Sequence, residues 1–252
     1  MANETSLNSA APIVVMQRYE LKYILSASQA DHLLHHLQGH MALDQYGRTS
    51  IASLYYDTPD SRLIRNSLEK PKFKEKIRLR SYGMATTESP VYLELKRKAD
   101  DIVYKRRMRS TVPAAEAFLA GGGSLGEDSQ ICREITYFRD FYRTLVPACL
   151  IIYDREAYYE PDGDLRLTVD FNPRYRAEQL NLTTSMAGSL LLPAGSAILE
   201  IKVQEALPLW LSHILTEEKI VKGSFSKYGA AYQLQRRKAI VPARAYAVPA
   251  GA

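Results

Sequence analysis

Only two cysteines, Cys132 and Cys149, occur in the 252 residues, and their spacing matches neither a metal-ligand pair nor a redox motif. A cysteine-held metal and a catalytic disulfide are thereby excluded, and the usage fits a reducing compartment. No apolar run approaches the ~20 residues a helix needs to span a bilayer, so no transmembrane segment is expected. The opening MANETSLNSAAP has no basic n-region and no apolar h-region. No signal peptide is therefore expected, and the expected location is cytoplasmic. Gly121-Gly122-Gly123-Ser124 is not followed by Lys-Ser/Thr, which argues against a nucleotide P-loop. No nucleic-acid-binding motif is present, and nucleic acid is not an expected partner. Repeats, linkers and composition breaks are also missing. One domain over residues 13–235 is expected, with flexible tails at 1–12 and 236–252.

What the chain does have is 17 tyrosines, a formal charge of +5 and a recurring pattern. A mild positive balance favours anionic partners without choosing among nucleic acid, membrane and phosphate. In KIRLR (76–80) charged and aliphatic residues alternate with a period of two, as on a strand with one apolar and one cationic face. The same device recurs. In residues 16–25 Arg18, Glu20 and Lys22 oppose Tyr19, Leu21 and Tyr23. VYLELKRK (91–98) sets Leu93 and Leu95 against Glu94 and Lys96, and after a turn at Asp100-Asp101 Lys105 and Arg107 continue in register. LRLTVDF (165–171) and SAILEIKVQ (196–204) follow the same rule, with Arg166, Thr168 and Asp170 on one polar face and Glu200 and Lys202 on the other. Residues 49–59 and 148–160 also read as strands, whereas 172–190 read as irregular.

Helices fall between these strands. Ser26 and Gln29 form a capping-box pattern ahead of an apolar stripe of Ala30, Leu33, Leu34 and Leu37. His32 and His36 have an i,i+4 spacing that can hold a metal, but no carboxylate motif accompanies them, and a solvated face is the better reading. Thr58-Pro59 reads as the start of a short helix through about Asn66. Pro113 to Leu119 and Leu207 to Leu215 are helical, and 128–145 is amphipathic, with Ile131, Ile135, Phe138, Tyr142 and Leu145 in phase. A last helix ends the 224–235 stretch, and Arg236-Arg237-Lys238 reads as surface charge in a disordered tail.

The cationic positions are then Lys22, Arg78, Arg80, Lys96, Lys105, Arg107, Arg155, Arg166 and Lys202, and the acidic ones Glu20, Glu94, Asp170 and Glu200. Two arrangements accommodate them. Either the aliphatic faces make the core of a layered sheet and the charges are solvated, or the sheet closes into a barrel whose lumen holds them. Arg and Lys recur in pairs two residues apart, where an inert face would mix in Ser, Thr and Gln. Such like charges repel unless a polyanion occupies the site. Phosphate chains suit the set, because Arg offers planar bidentate contacts and Lys point charges. Carboxylates among the cations would repel that ligand unless Mg²⁺ or Mn²⁺ bridges them.

Nine motifs carry a family resemblance: RYELKY, SLYYDTP, KIRLRSYG, VYLELKRK, VYKRR, YDREAY, LRLTVD, AILEIKVQ and FSKYGAAYQ, in that order over roughly residues 15–235. Together they resemble VTC-type polyphosphate polymerase domains of the triphosphate tunnel metalloenzyme (CYTH-like) superfamily. The resemblance implies an α+β fold, a closed antiparallel β-barrel with helices packed outside. It implies transfer of the ATP γ-phosphoryl group onto a growing polyphosphate chain with Mn²⁺ or Mg²⁺. Carried over by motif, Lys22, Arg78, Arg80, Lys96 and Lys227 take the catalytic positions, and Lys105, Arg155 and Arg166 bind substrate beside Arg107 and Lys202. Glu200 would be the metal ligand, with Glu20 assisting. Lys227 comes from the resemblance alone, since it sits in an expected loop before the last helix. Hydrolase and cyclase branches of that superfamily open with two glutamates and a lysine on alternate positions. Here Arg18 stands at the first, which suits the polymerase branch better than a triphosphatase. A hydrolase of the same fold and a non-catalytic polyphosphate-binding module are the alternatives.

Overall fold

The computed structural model describes residues 19–100, 102–126 and 128–240. The expected tail 1–12, Arg18, Asp101 of the expected turn and residues 241–252 lie outside them. The elements follow the order β1 (Tyr19–Leu25), α1 (Ala27–Leu37), β2 (Ala42–Leu43), β3 (Thr49–Asp57), α2 (Arg62–Leu68), β4 (Phe73–Tyr82), β5 (Val91–Ala99), β6 (Ile102–Ser110), α3 (Val112–Leu119), α4 (Gln130–Tyr142), β7 (Val146–Tyr159), β8 (Arg166–Arg176), β9 (Ser189–Leu190), β10 (Ala197–Val203), α5 (Leu209–Glu217), β11 (Lys222–Gly223) and α6 (Lys227–Ile240). All strands join one antiparallel sheet in the order β11-β1-β10-β8-β7-β3-β4-β5-β6, with β2 on β7 and β9 on β8.

That order bears out the expected antiparallel α+β sheet but does not show it closed into a barrel. Among the described residues the hydrogen-bonded path is open between β6 and β11. The sheet nevertheless curls far enough to bring its two flanks together. Lys96 on β5 lies 3.9 Å from Glu20 on β1, although five strands separate them along the path. The pairing skips Ala148 on β7 opposite Tyr55/Tyr56, and sets Asn172 and Pro173 of β8 against Tyr153 alone, so bulges lie on β7 and β8, the devices that bend a strand and increase its twist.

The period-two alternation decides which side chains go where. On the convex side Tyr23, Leu25, Leu167, Val169, Leu199 and Ile201 pack against Leu33 and Leu37 of α1 and Leu211 and Leu215 of α5. Farther round, Leu54, Ile77, Leu79, Leu93, Leu95 and Ile152 pack against Phe118 of α3 and Ile135 and Phe138 of α4. The concave side keeps the charged positions, except at one end. There Tyr55, Cys149, Ile151 and Tyr153 bury against Ile64 of α2 and Tyr228 and Ala231 of α6. Not every helix is therefore outside: α6 sits on the concave face and plugs it.

Several local expectations shift. The Ser26/Gln29 capping box is present, with both reciprocal bonds. The Thr58-Pro59 start moves to α2 at Arg62: Ser61 takes a left-handed φ of 60°, Thr58 Oγ1 accepts from the Arg62 N–H at 2.8 Å, and Asp57 caps the next two N–H groups. The buried Asp57 carboxylate accepts from the N–H groups of Thr58, Leu63 and Ile64, and from the Tyr228 hydroxyl at 2.8 Å. Residues 172–176 are strand, since β8 runs on past Pro173 to Arg176. Arg236-Arg237-Lys238 belong to α6 instead of a disordered tail, where they are exposed surface charge beyond the buried Tyr228 and Ala231.

Asp57 thus ties α2 and the α6 plug to β3 with one carboxylate. Asp57→Ala strands those donors in an apolar setting and is expected to lower stability by about 3 kcal/mol or more. Tyr228→Phe, which loses one bond, is expected to cost about 1–2 kcal/mol. Urea unfolding of both variants checks the ranking; equal midpoints would contradict it.

Candidate active site in the concave face

Register places the charged residues opposite one another. Arg78 faces Glu94 and Glu94 faces Arg107; Lys76 faces Lys96 and Lys96 faces Lys105; Lys22 faces Glu200; Arg155 faces Asp170. Three ionic groups result.

Around Glu94, whose side chain is 2% exposed, stand Arg78 (Nε at 2.9 Å), Lys105 (2.9 Å), Arg107 (Nε at 3.0 Å) and Arg80 (Nε at 3.7 Å). Burial acts to raise the Glu94 pKa, but Arg78, Arg80 and Lys105 prevail and bring it down to about 2. Arg78 also donates to the Tyr55 hydroxyl at 2.7 Å, and Arg80 to Ser53 at 3.2 Å and Tyr153 at 3.1 Å. Arg107 lies over the Tyr92 ring at 3.9 Å and donates to Tyr82.

The second group centres on Asp170. Arg155 donates to it in a bidentate pair, 2.8 Å on the Nη2 side, and Lys227 binds the same carboxylate. Burial opposes the charge on Asp170, and Lys227 and Arg155 overcome it, so its pKa is lowered. Lys227 is the first residue of α6, not a loop residue, and its ammonium lies 4.5 Å from the Tyr153 ring centroid. Tyr153 therefore touches cations of both groups.

In the third group Lys22 bridges Glu20 at 2.8 Å and Glu200 at 3.4 Å, and Lys202 holds the other Glu200 oxygen at 2.8 Å. Burial would raise the Glu200 pKa; Lys22, Lys202 and Arg155 lower it. Lys96 approaches from the opposite flank through Glu20.

Eleven of the twelve expected site residues thus converge: Lys22, Arg78, Arg80, Lys96, Lys105, Arg107, Arg155, Lys202, Lys227, Glu20 and Glu200. Arg166 does not join them. It shares their face but lies exposed at the start of β8, 5.8 Å from the Tyr159 ring centroid. Sequence reasoning passes over Lys76, Tyr55, Tyr153 and Ser53, all on the concave face. The same alternation marks Lys76, and the SLYYDTP and YDREAY motifs contain the other three.

Among the described residues no cluster of three or more His, Cys, Asp or Glu could hold a metal unaided. His32 instead lies 3.0 Å from Glu218 on the surface. Glu20 and Glu200 do fit a divalent cation of the Mg²⁺ type. Their oxygens converge on one positive point, now the Lys22 ammonium, and such ions take one or two carboxylates with phosphate and water completing the shell.

A curled antiparallel sheet with an ion-paired cationic interior and helices on its convex side defines a tunnel-type α+β protein. Residues 17–235 match the model of the VTC domain, and the chain belongs to that family. Its fold is similar to that of a candidate adenylate cyclase of Bacillus halodurans, with a TM-score of 0.52 and 15% identity over 82% of this chain and 92% of that one. It is also similar to a candidate adenylyl cyclase of Hippeastrum, described as revealing a dominant triphosphatase activity, with a TM-score of 0.52 and 16% identity over 86% and 96% of the two chains. No curated protein matches.

The Glu94 group yields a stability prediction. The folded-state pKa near 2 lies below the ordinary value of 4.5, so its contribution is present above pH ~4.5 and is lost as pH falls through about 2. Glu94→Gln, which leaves four cations facing one another, is expected to cost about 3 kcal/mol at neutral pH. It should also flatten the acid limb between those values, as read from urea midpoints across pH.

Proposed function

We propose that the chain is a polyphosphate polymerase, moving the γ-phosphoryl group of ATP onto the end of a polyphosphate chain held in the concave face. The observation that carries this reading is the convergence of Arg and Lys from seven elements on one curved face, offset by only four carboxylates. A bound triphosphate supplies the missing negative charge. Arg78 and Arg80 on β4, Arg155 on β7 and Lys227 on α6 hold the transferring end. Lys22, Lys96, Lys105, Arg107 and Lys202 hold the rest of the chain. Arg166, exposed near the rim, is placed to guide the polymer in or out.

Phosphoryl transfer through a loose transition state asks for alignment and charge stabilisation, and no covalent nucleophile on the protein is needed. The guanidinium groups of Arg78, Arg80, Arg107 and Arg155 each rest on a carboxylate or a tyrosine hydroxyl, so their directions are set before substrate arrives and little reorganisation is left for the reacting complex. The polymerase reading is favoured over hydrolysis by the state of the lumen carboxylates. Glu94, Asp170 and Glu200 are all held more acidic than usual, and such carboxylates are poor bases for activating water. A terminal phosphate of the acceptor is already anionic and needs no base. Glu200, with Glu20, would hold Mn²⁺ or Mg²⁺, which when bound neutralises phosphate charge and lets the carboxylates coexist with the substrate.

Incubation of the protein with ATP and Mn²⁺, with chain length resolved on a gel, is expected to show long polyphosphate. Glu200→Gln and Arg78→Ala should each reduce synthesis by about 100-fold or more while the circular dichroism spectrum stays native. Full activity in either variant sinks the residue assignment. Orthophosphate release without chains would mark a triphosphatase, and tight binding without ATP consumption a polyphosphate-binding module.

A further inference from the structure

Lys76 differs from the other central cations. The alternation of β4 puts it on the concave face with Arg78 and Arg80, directly across from Lys96 on β5. Lys22, Arg78, Arg80, Lys96, Lys105, Arg107, Arg155, Lys202 and Lys227 each have a carboxylate within 4 Å. Among the described residues Lys76 has none. Its ammonium donates only to the Ser226 hydroxyl at 3.1 Å, and that hydroxyl accepts from the Gly229 N–H in the first turn of α6. Lys74 and Arg166 also lack a carboxylate, but both stand in more open surroundings.

The neighbours of Lys76 are mostly of its own sign. Burial first, and then Lys74 on its own strand, Lys96 on β5 and Lys22 on β1, lower its pKa to about 8, although Tyr55 on β3 opposes them. A cross-strand Lys–Lys pair with side-chain roots roughly 5 Å apart is destabilising by itself. Desolvating one of the two ammoniums adds to that cost. An anion between them removes both penalties, and a phosphate oxygen accepts from two ammoniums at once.

We propose that Lys76 is a further substrate-contacting residue, whose uncompensated ammonium takes a phosphate oxygen of the bound chain jointly with Lys96, beside the first turn of α6. This rests on the reading of the concave face as a polyphosphate site. Lys76 is then a cation kept for the ligand: binding substrate there breaks no ion pair, whereas at Arg78 or Arg155 the phosphate competes with a carboxylate. The Ser226 hydroxyl holds the ammonium in position without cancelling its charge.

Calorimetric titration of the whole chain with inorganic tripolyphosphate tests the contact without relying on catalysis. Lys76→Met is expected to weaken binding about 10- to 100-fold, and Lys76→Arg to stay within several-fold of the wild type. A structural role would lower the unfolding temperature of the ligand-free variant. The proposed role leaves that temperature unchanged or higher, since a like-charge contact is relieved, and shrinks only the shift that tripolyphosphate produces. Lys76→Met binding within twofold of the wild type overturns the proposal, as does a loss of affinity matched by a lower unfolding temperature without ligand. A wild-type chain that does not bind tripolyphosphate overturns the polyphosphate reading, and Lys76 with it. A wild type that binds, beside a Lys76→Met variant that binds as well, overturns Lys76 alone.

Discussion

Four cationic side chains, from β4 and β6, converge on the carboxylate of Glu94 on the strand between them. The rest of the concave face depends on that kind of balance. Strands whose inward positions are Arg and Lys repel when they curl toward each other, and the repulsion grows as water leaves the space. Glu94 answers it for β4–β6. Asp170 does so for β7 and α6, and Glu20 and Glu200 for β1, β10 and the approaching β5. Tyr153 links the first two groups, through a hydroxyl bonded to Arg80 and a ring beside Lys227. The result is an ionic lining in three groups that spans strands far apart in the sheet.

Such a lining is a modest source of stability, because desolvation offsets much of the attraction in a buried ion pair. Its value lies in direction. The apolar convex clusters supply the burial that drives folding, and the ionic lining sets where each guanidinium and ammonium points. On the proposed function, a polyphosphate entering the face would trade carboxylate contacts for phosphate contacts, a near-balanced exchange that would let a chain be held and still advance. The α6 plug belongs to the same economy of contacts: Lys227 anchors it on Asp170 and Tyr228 on Asp57, so the wall of the site and the closure of its end are built by one helix.

Much of this is legible in the sequence, for a reason specific to strands. A side-chain period of two makes a lumen-facing residue recognisable from its neighbours, so Lys22, Arg78, Lys96, Lys105 and Glu200 can be assigned to one face before any fold is known. The limits are equally specific. Lys76 obeys the same alternation as Arg78, yet period cannot reveal that its neighbours leave it without a carboxylate. Arg166 obeys it too, but lies too near the start of β8 to reach the centre. Lys227 is beyond any periodicity, since its placement comes from α6 crossing the concave face. The α2 start moves because Asp57, a strand residue, caps the N–H groups of Leu63 and Ile64 while Thr58 Oγ1 takes that of Arg62, so the helix begins at Arg62.

The sequence by itself determined the two-faced strands, the amphipathic helices that cover the apolar face and the cations on the other, because these are local patterns written at periods of 2 and 3.6. The tertiary structure alone decided whether those faces would meet. Sheet order, the bulges on β7 and β8 and the docking of α6 bring together residues 57 and 228, 20 and 96, 76 and 226. Distances between such residues depend on how the whole sheet curls, and no local pattern encodes that curvature. It also left the hydrogen-bonded path open between β6 and β11 among the described residues, where alternation alone is equally compatible with a closed barrel.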